Sequence, residues 1–214
     1  MDDAVQYLLG SVLGVVLSDR GITALHCAVA EVEGRAVGLI GPGGTGKSTV
    51  VTALTQQGCG VLTDDVAALE ERDGAFYAQP GPTMARLWPP SVAGLFGEID
   101  ALPRIVPGWD KRYLDLEQAD AYCDRPLSLE RLYMLDRDED AQPEITHMDN
   151  AVINLAANLY AAKLSLPLQR RRDFELIGRL ASTVEVRRLS VGAFAAMSEL
   201  RSVLAADLET RTGA

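Results

Sequence analysis

Residues 41–49 read Gly-Pro-Gly-Gly-Thr-Gly-Lys-Ser-Thr. Gly41, Gly46, Lys47 and Ser48 fill the fixed positions of the pattern G-x-x-x-x-G-K-[ST]. Glycines let such a loop turn its N–H groups inward, where they and a following helix N-terminus bind phosphate oxygens. Gly43, Gly44, Thr45 and Thr49 complete the cradle. Lys47 is then placed to reach the β- and γ-phosphates, and Ser48 to offer a hydroxyl to Mg²⁺. A plain glycine-rich turn has no need of the Lys-Ser pair, so the run predicts binding of a nucleoside triphosphate.

An acidic pair, Asp64-Asp65, follows Lys47 by 17 residues, room for one helix, one turn and one strand. That path returns the carboxylates to a strand end beside the loop, where open α/β sheets place ligands. Adjacent side chains on a strand face opposite ways, so the pair divides two tasks. One carboxylate holds the metal, directly or through water, and the other accepts the proton of an attacking hydroxyl. Elsewhere such a pair is commonly a turn or a helix cap; its spacing from the loop is what favours chemistry. His26 lies 15 residues before Gly41, on a strand that a hairpin folds back beside the loop strand, within reach of the γ-phosphate or Asp64. From spacing alone, a histidine between Leu25 and Cys27 reads more readily as a core or edge residue. His147, in a polar turn, reads as surface.

Arg86, Lys111 and Arg112 fall in a middle region from which a loop can fold over the phosphates and neutralise charge that develops in transfer. Arg170-Arg171-Arg172 opens a helix and reads first as a solvated basic face. Trp88, before Pro89-Pro90, reads first as an anchor of its loop to the core, with docking of an acceptor peptide as the alternative.

The elements that must position these groups alternate as in a layered α/β domain. Residues 1–20 are expected to hold a first helix, because the apolar run 7–17 is far shorter than the ~20 residues of a membrane-spanning helix. Strands are expected at 23–32 and 36–40 around a Glu33-Gly34 turn. A helix at 48–57 is ended by Gly58-Cys59-Gly60, and strands follow at 61–63 and 66–70. Asp73-Gly74 signals a hairpin to 76–79. Six prolines make 80–110 irregular apart from a short helix near 91–96. A strand at 129–135 and a charged loop at 136–142 lead to helices at 150–164, 169–181 and 192–208, with a strand at 184–189. With no repeat or linker in view, this reads as one domain: a nucleotide-binding core at 21–140 and a mostly helical portion at 141–214.

Composition narrows the partners. The 214 residues are 48% hydrophobic, enough for a full core. A net charge of −10 argues against nucleic-acid or anionic-membrane partners, which require a basic footprint. Cys27, Cys59 and Cys123 are widely spaced, as buried thiols of a reducing compartment are. The acidic start Met1-Asp2-Asp3 is unlike a signal peptide, so a cytoplasmic protein is expected.

His26-Cys27-Ala28-Val29, the loop, Gln57-Gly58 and Leu62-Thr63-Asp64-Asp65 resemble the catalytic domain of HPr kinase/phosphorylase. The whole chain is most similar to short stand-alone HPr-kinase-like proteins, including the peptide kinases of lasso-peptide biosynthesis. The similarity continues through Arg86-Leu87-Trp88-Pro89 and Asp110-Lys111-Arg112. The resemblance implies a P-loop domain of the HPr kinase/PEP carboxykinase-like type, a mixed sheet with flanking helices. It implies ATP and Mg²⁺, with Asp64 as base toward a serine, Asp65 and Ser48 on the metal, and His26 beside the catalytic carboxylate. It also implies a possible homo-oligomer. The larger relatives carry a further N-terminal domain and a glycine- and asparagine-bearing motif for phosphorolysis, neither of which is found here. The expected activity is therefore transfer of the γ-phosphate to a serine of a peptide or small protein, with little reversal. The alternatives are a small-molecule or nucleotide kinase on the same loop, and an ATP-binding scaffold that does not catalyse.

Overall fold

The computed structural model describes residues 12–138, 142–160 and 167–210. Of the expected first helix, the described part is α1 (Leu13–Asp19); residues 1–11 lie outside the described residues. Strands β1 (Ala24–Val32) and β2 (Arg35–Ile40) form a hairpin in the register Val32↔Arg35 to Cys27↔Ile40. Its turn residues Glu33 and Gly34 have φ of 51° and 77°, the double positive φ of a type I′ turn, whose twist matches that of paired strands. Asp73-Gly74 repeats this chemistry, at 53° and 79°, between β4 (Val66–Arg72) and β5 (Ala75–Ala78).

The phosphate loop leaves β2 and enters helix α2 (Lys47–Thr55). Val50, Val51, Ala53 and Leu54 of that helix are buried, so the loop rests on a helix fixed by the core. Burying one such Val or Leu side chain stabilises by about 1.5–3 kcal/mol. The chain returns through β3 (Gly60–Thr63). β3 and β4 lie end to end along one edge of β1, β3 against residues 29–31 and β4 against residues 24–26. Asp64-Asp65 is the interruption between them, where Cys27 N–H donates to the Asp65 carbonyl at 3.2 Å.

Eight strands form one mixed sheet. Its longest strand, β8 (Leu127–Arg137), runs parallel to β2 on one side and to β10 (Glu185–Val191) on the other. β9 (Glu144–His147) is antiparallel to β10, and β5 pairs with the start of β8. The helices α4 (Ala151–Ala157) and α5 (Pro167–Thr183) cover one core cluster, which contains Leu25, Leu132, Leu155 and Ile177; α2 and α6 (Leu200–Glu209) cover the other, with Leu54, Tyr133, Leu135 and Leu204. Cys27, Cys59 and Cys123 are buried free thiols, and burial pushes the Cys27 thiol up to about 12. Among the described residues no helix is long and apolar enough to cross a membrane.

Several elements differ from expectation. The proline-rich stretch is ordered: β6 (Met84–Leu87) pairs antiparallel with β7 (Arg112–Asp115), and α3 (Pro89–Phe96) begins with its two prolines in the first turn. Proline at that position removes an N–H that has no intrahelical partner in any case. The helix expected at 150–164 ends at Ala157 within the described residues. The one expected at 192–208 is a 3₁₀ turn, Phe194–Glu199, followed by α6.

Candidate active site

The phosphate loop, the acidic pair, His26, Arg86 and Lys111 line one cavity. It encloses about 170 Å³ and is open to solvent on one side. Within the loop, Gly41, Gly44 and Gly46 have φ of 144°, 87° and 98°, a backbone open to glycine and costly for other residues. The Thr45 hydroxyl closes the loop by donating to the Pro42 carbonyl at 2.9 Å. Lys47 is buried, and its Nζ donates to the carbonyls of Gly41 at 2.7 Å and Pro42 at 3.1 Å. Desolvation by burial lowers its proton affinity. Thr49 at the start of α2 shares a 2.9 Å hydrogen bond with Ser91 of α3.

The two carboxylates have different surroundings. Asp64 is 5% exposed, and its Oδ2 accepts from the Arg86 backbone N–H at 2.8 Å. Its Oδ1 is buried without a hydrogen-bond partner. Burial raises its proton affinity; the Arg86 N–H, the neighbouring Ser48 hydroxyl and the Arg86 guanidinium offset this only in part. Asp65 has both oxygens engaged: Oδ1 with His26 Nε2 at 3.2 Å and Oδ2 with Arg86 Nη2 at 2.6 Å. Burial also acts to raise Asp65, but the His26 hydrogen bond and the Arg86 charge outweigh it and hold that carboxyl at about 2. His26 thus pairs with Asp65, where Asp64 was the expected neighbour. The cause is register: His26 faces Val66 at the first rung of β4, next to Asp65.

The β6–β7 ribbon delivers the basic groups. Residues opposite each other in an antiparallel pair share a face. Arg86 pairs with Tyr113 on the face turned to the carboxylates. One rung further, Lys111 Nζ sits 4.9 Å from the centre of the Trp88 ring, a cation–π contact. Trp88 is 54% exposed at the cavity rim and not the core anchor expected. Arg112 is also misplaced by the sequence reading. It shares the inward face of Leu87, is buried, and donates to the Asp110 carbonyl at 2.8 Å and to Asp100 Oδ1 at 3.1 Å, away from the cavity. Arg171 pairs with Glu175 on the exposed surface, and the Arg170 side chain lies outside the described atoms. His147 is exposed beside Asp149.

Four residues of the site carried no sequence signal. Asn158 accepts from the Gly41 N–H at 3.0 Å through Oδ1, and its carbonyl accepts from the His26 N–H at 2.7 Å. It thereby ties the loop to the β1 strand, from a position 117 residues away. Tyr160 stands edge-on to the His26 ring, with centroids 6.1 Å apart. Ser91 holds α3 against α2, and Arg137, in a charged run at the end of β8, borders the cavity. The cavity gathers the cations Lys47, Arg86, Lys111 and Arg137 against two carboxylates in a protein of net charge −10. An anion is the ligand such a field concentrates.

A hard divalent cation also fits. An orphaned, buried carboxylate oxygen on Asp64 beside the Ser48 hydroxyl is an all-oxygen donor set of the kind Mg²⁺ takes together with phosphate oxygens. The fit lies with Ser48 and Asp64: each Asp65 oxygen already faces a basic partner, His26 or Arg86, which opposes a second cation there and leaves a lone pair free to accept a hydrogen bond.

No protein-family model and no curated protein sequence matches the chain. Among solved structures, the HPr(Ser) kinase/phosphatase from Coxiella burnetii is similar over 86% of this chain and 95% of that one, at 11% identity and a TM-score of 0.46.

Proposed function

We propose that the cavity is a phosphoryl-transfer site that moves the γ-phosphate of ATP to a serine hydroxyl of a peptide or small protein. The observation that carries this reading is the pairing of a phosphate loop with two carboxylates of opposite character in one cavity. A site for nucleotide binding alone has no use for a second carboxylate held by a histidine and an arginine.

The loop N–H groups and Lys47 would hold the phosphates, and Ser48 and Asp64 would hold Mg²⁺. The metal supplies neutralisation of charge on the phosphate oxygens. Asp65, kept in place by His26 and Arg86, accepts the hydrogen bond of the serine hydroxyl. The serine oxygen forms its bond to the γ-phosphorus as the bond to the bridging β–γ oxygen breaks, and the hydroxyl proton passes to Asp65, leaving phosphoserine and ADP. A carboxyl held at about 2 is a weak base. That suffices in a loose transition state, where positioning and electrostatics provide most of the rate. This exchanges the roles the sequence resemblance implies for Asp64 and Asp65. The serine acceptor is the substrate class which that resemblance implies.

The test is an acceptor screen with Mg·ATP read by mass spectrometry. The expected result is a gain of one phosphate on serine-containing peptides. Phosphate on a free nucleoside or metabolite would instead make the protein a small-molecule kinase. Nucleotide binding with no product from any acceptor would make it a scaffold.

A further inference from the structure

The proposal above gives no task to Arg137, one of the cations lining the cavity. Tyr133 and Leu135 of β8 lie in the core cluster under α2, and side chains alternate along a strand. Arg137, two residues on, therefore continues the same face, past the end of the core and out beside the phosphate loop. Parallel pairing fixes its height: Ile40, the last residue before the loop, is level with Met134, so the final turns of β8 run alongside the loop itself. A Cβ placed on Gly46 would come within 3.2 Å of Arg137 Nη1 and 3.4 Å of its Cδ. The guanidinium is steadied by the Phe194 ring, 5.8 Å from its centre. Among the described residues the Arg137 side chain makes no ion pair and no hydrogen bond.

That placement is electrostatically unfavourable by itself. The N-terminus of α2 carries the positive end of the helix dipole, and a cation there is repelled. Lys47 adds a second charge. An anion shared by all three turns the repulsion into attraction, and the loop's inward N–H groups show where it would sit. A further role for glycine at position 46 follows, since any side chain there would press on the guanidinium.

We infer that Arg137 is a phosphate-binding residue of the nucleotide site, which closes on the polyphosphate from the side opposite Asp64 and Asp65. The inference rests on the triphosphate reading of the cavity and adds a residue to it. Arg137 grips the polyphosphate and does not recognise the base.

Calorimetric titration of wild type, Arg137→Ala and Arg137→Lys with Mg·ATP and, separately, with inorganic tripolyphosphate tests it. A charged hydrogen bond is worth enough that Arg137→Ala should weaken both ligands by ~10- to 100-fold. Arg137→Lys should recover part of that loss, and neither variant should lower the melting temperature of the free protein. Wild-type affinity for both ligands in Arg137→Ala would overturn the assignment. So would a loss confined to ATP, which would place the arginine at the nucleoside. Failure of wild type itself to bind either ligand would instead remove the triphosphate reading on which the assignment stands.

Discussion

Asp64 and Asp65 are neighbours in sequence, yet their protons are held in opposite senses, and stability should record it. Asp65 has a folded-state pKa of about 2 against an ordinary 3.8. Its charge therefore stabilises the fold above the ordinary value, by about 2 kcal/mol, and this is lost as pH falls from about 4 to 2. Asp64 is raised, so its charged form opposes folding at neutral pH and the opposition vanishes in acid. Two variants separate them in thermal melts. Asp65→Asn should lower stability at pH 7 by about 2 kcal/mol and little near pH 2. Asp64→Asn should raise the melting temperature at pH 7 while losing the stabilisation by Mg·ATP, which for wild type at about 100 times Kd is about 2.7 kcal/mol. Stabilisation by Mg·ATP that is intact in Asp64→Asn and lost in Asp65→Asn would restore the opposite division of roles.

At the scale of elements, the site depends on joints between segments far apart in the chain. Asn158, just beyond α4, holds the first N–H of the phosphate loop and the backbone of His26 together. Asn158→Ala leaves the buried Gly41 N–H without a partner, which costs about 1–3 kcal/mol. Because the loop loses its anchor, affinity for Mg·ATP should fall as well, by ~10-fold on the same energy scale. Denaturant melts and calorimetry check the two halves; a destabilised variant with wild-type nucleotide affinity would show that Asn158 serves the fold alone. Elements set by local chemistry were legible in the sequence: both Xaa-Gly hairpins, the loop and its helix, and strands β1 to β5. The β6–β7 ribbon was not, because its strands are four residues each and 25 residues apart from Leu87 to Arg112, the facing pair at one end. Prolines around it mimic irregular chain. That omission had consequences, since the ribbon's register decides that Arg86 and Lys111 face the cavity while Arg112 does not.

Across the whole molecule, the net charge is −10, yet one cavity is lined by four basic side chains, so the overall charge disfavours anions while the cavity attracts one. The loop and the carboxylates were identifiable from residue type and spacing, whereas Arg86 and Lys111 were named together with Arg112 from their place in the middle region and the family resemblance. Arg137, Asn158 and Tyr160 were not, because each reaches the site through tertiary pairing that leaves no local pattern. The pairing of His26 with Asp65 required the β1–β4 register. What the assembled cavity must do, if it is a kinase site, is bind the triphosphate through the loop and release its terminal phosphate through Asp65. A single-turnover incubation with γ-labelled Mg·ATP and a serine-containing acceptor peptide tests both steps at once. Wild type should move label to the peptide. Asp65→Asn should retain bound label and transfer it ~10²–10⁴-fold more slowly, and Lys47→Ala should neither retain nor transfer it. Transfer at the wild-type rate by Asp65→Asn, or label retained and transferred by Lys47→Ala as by wild type, would contradict the account.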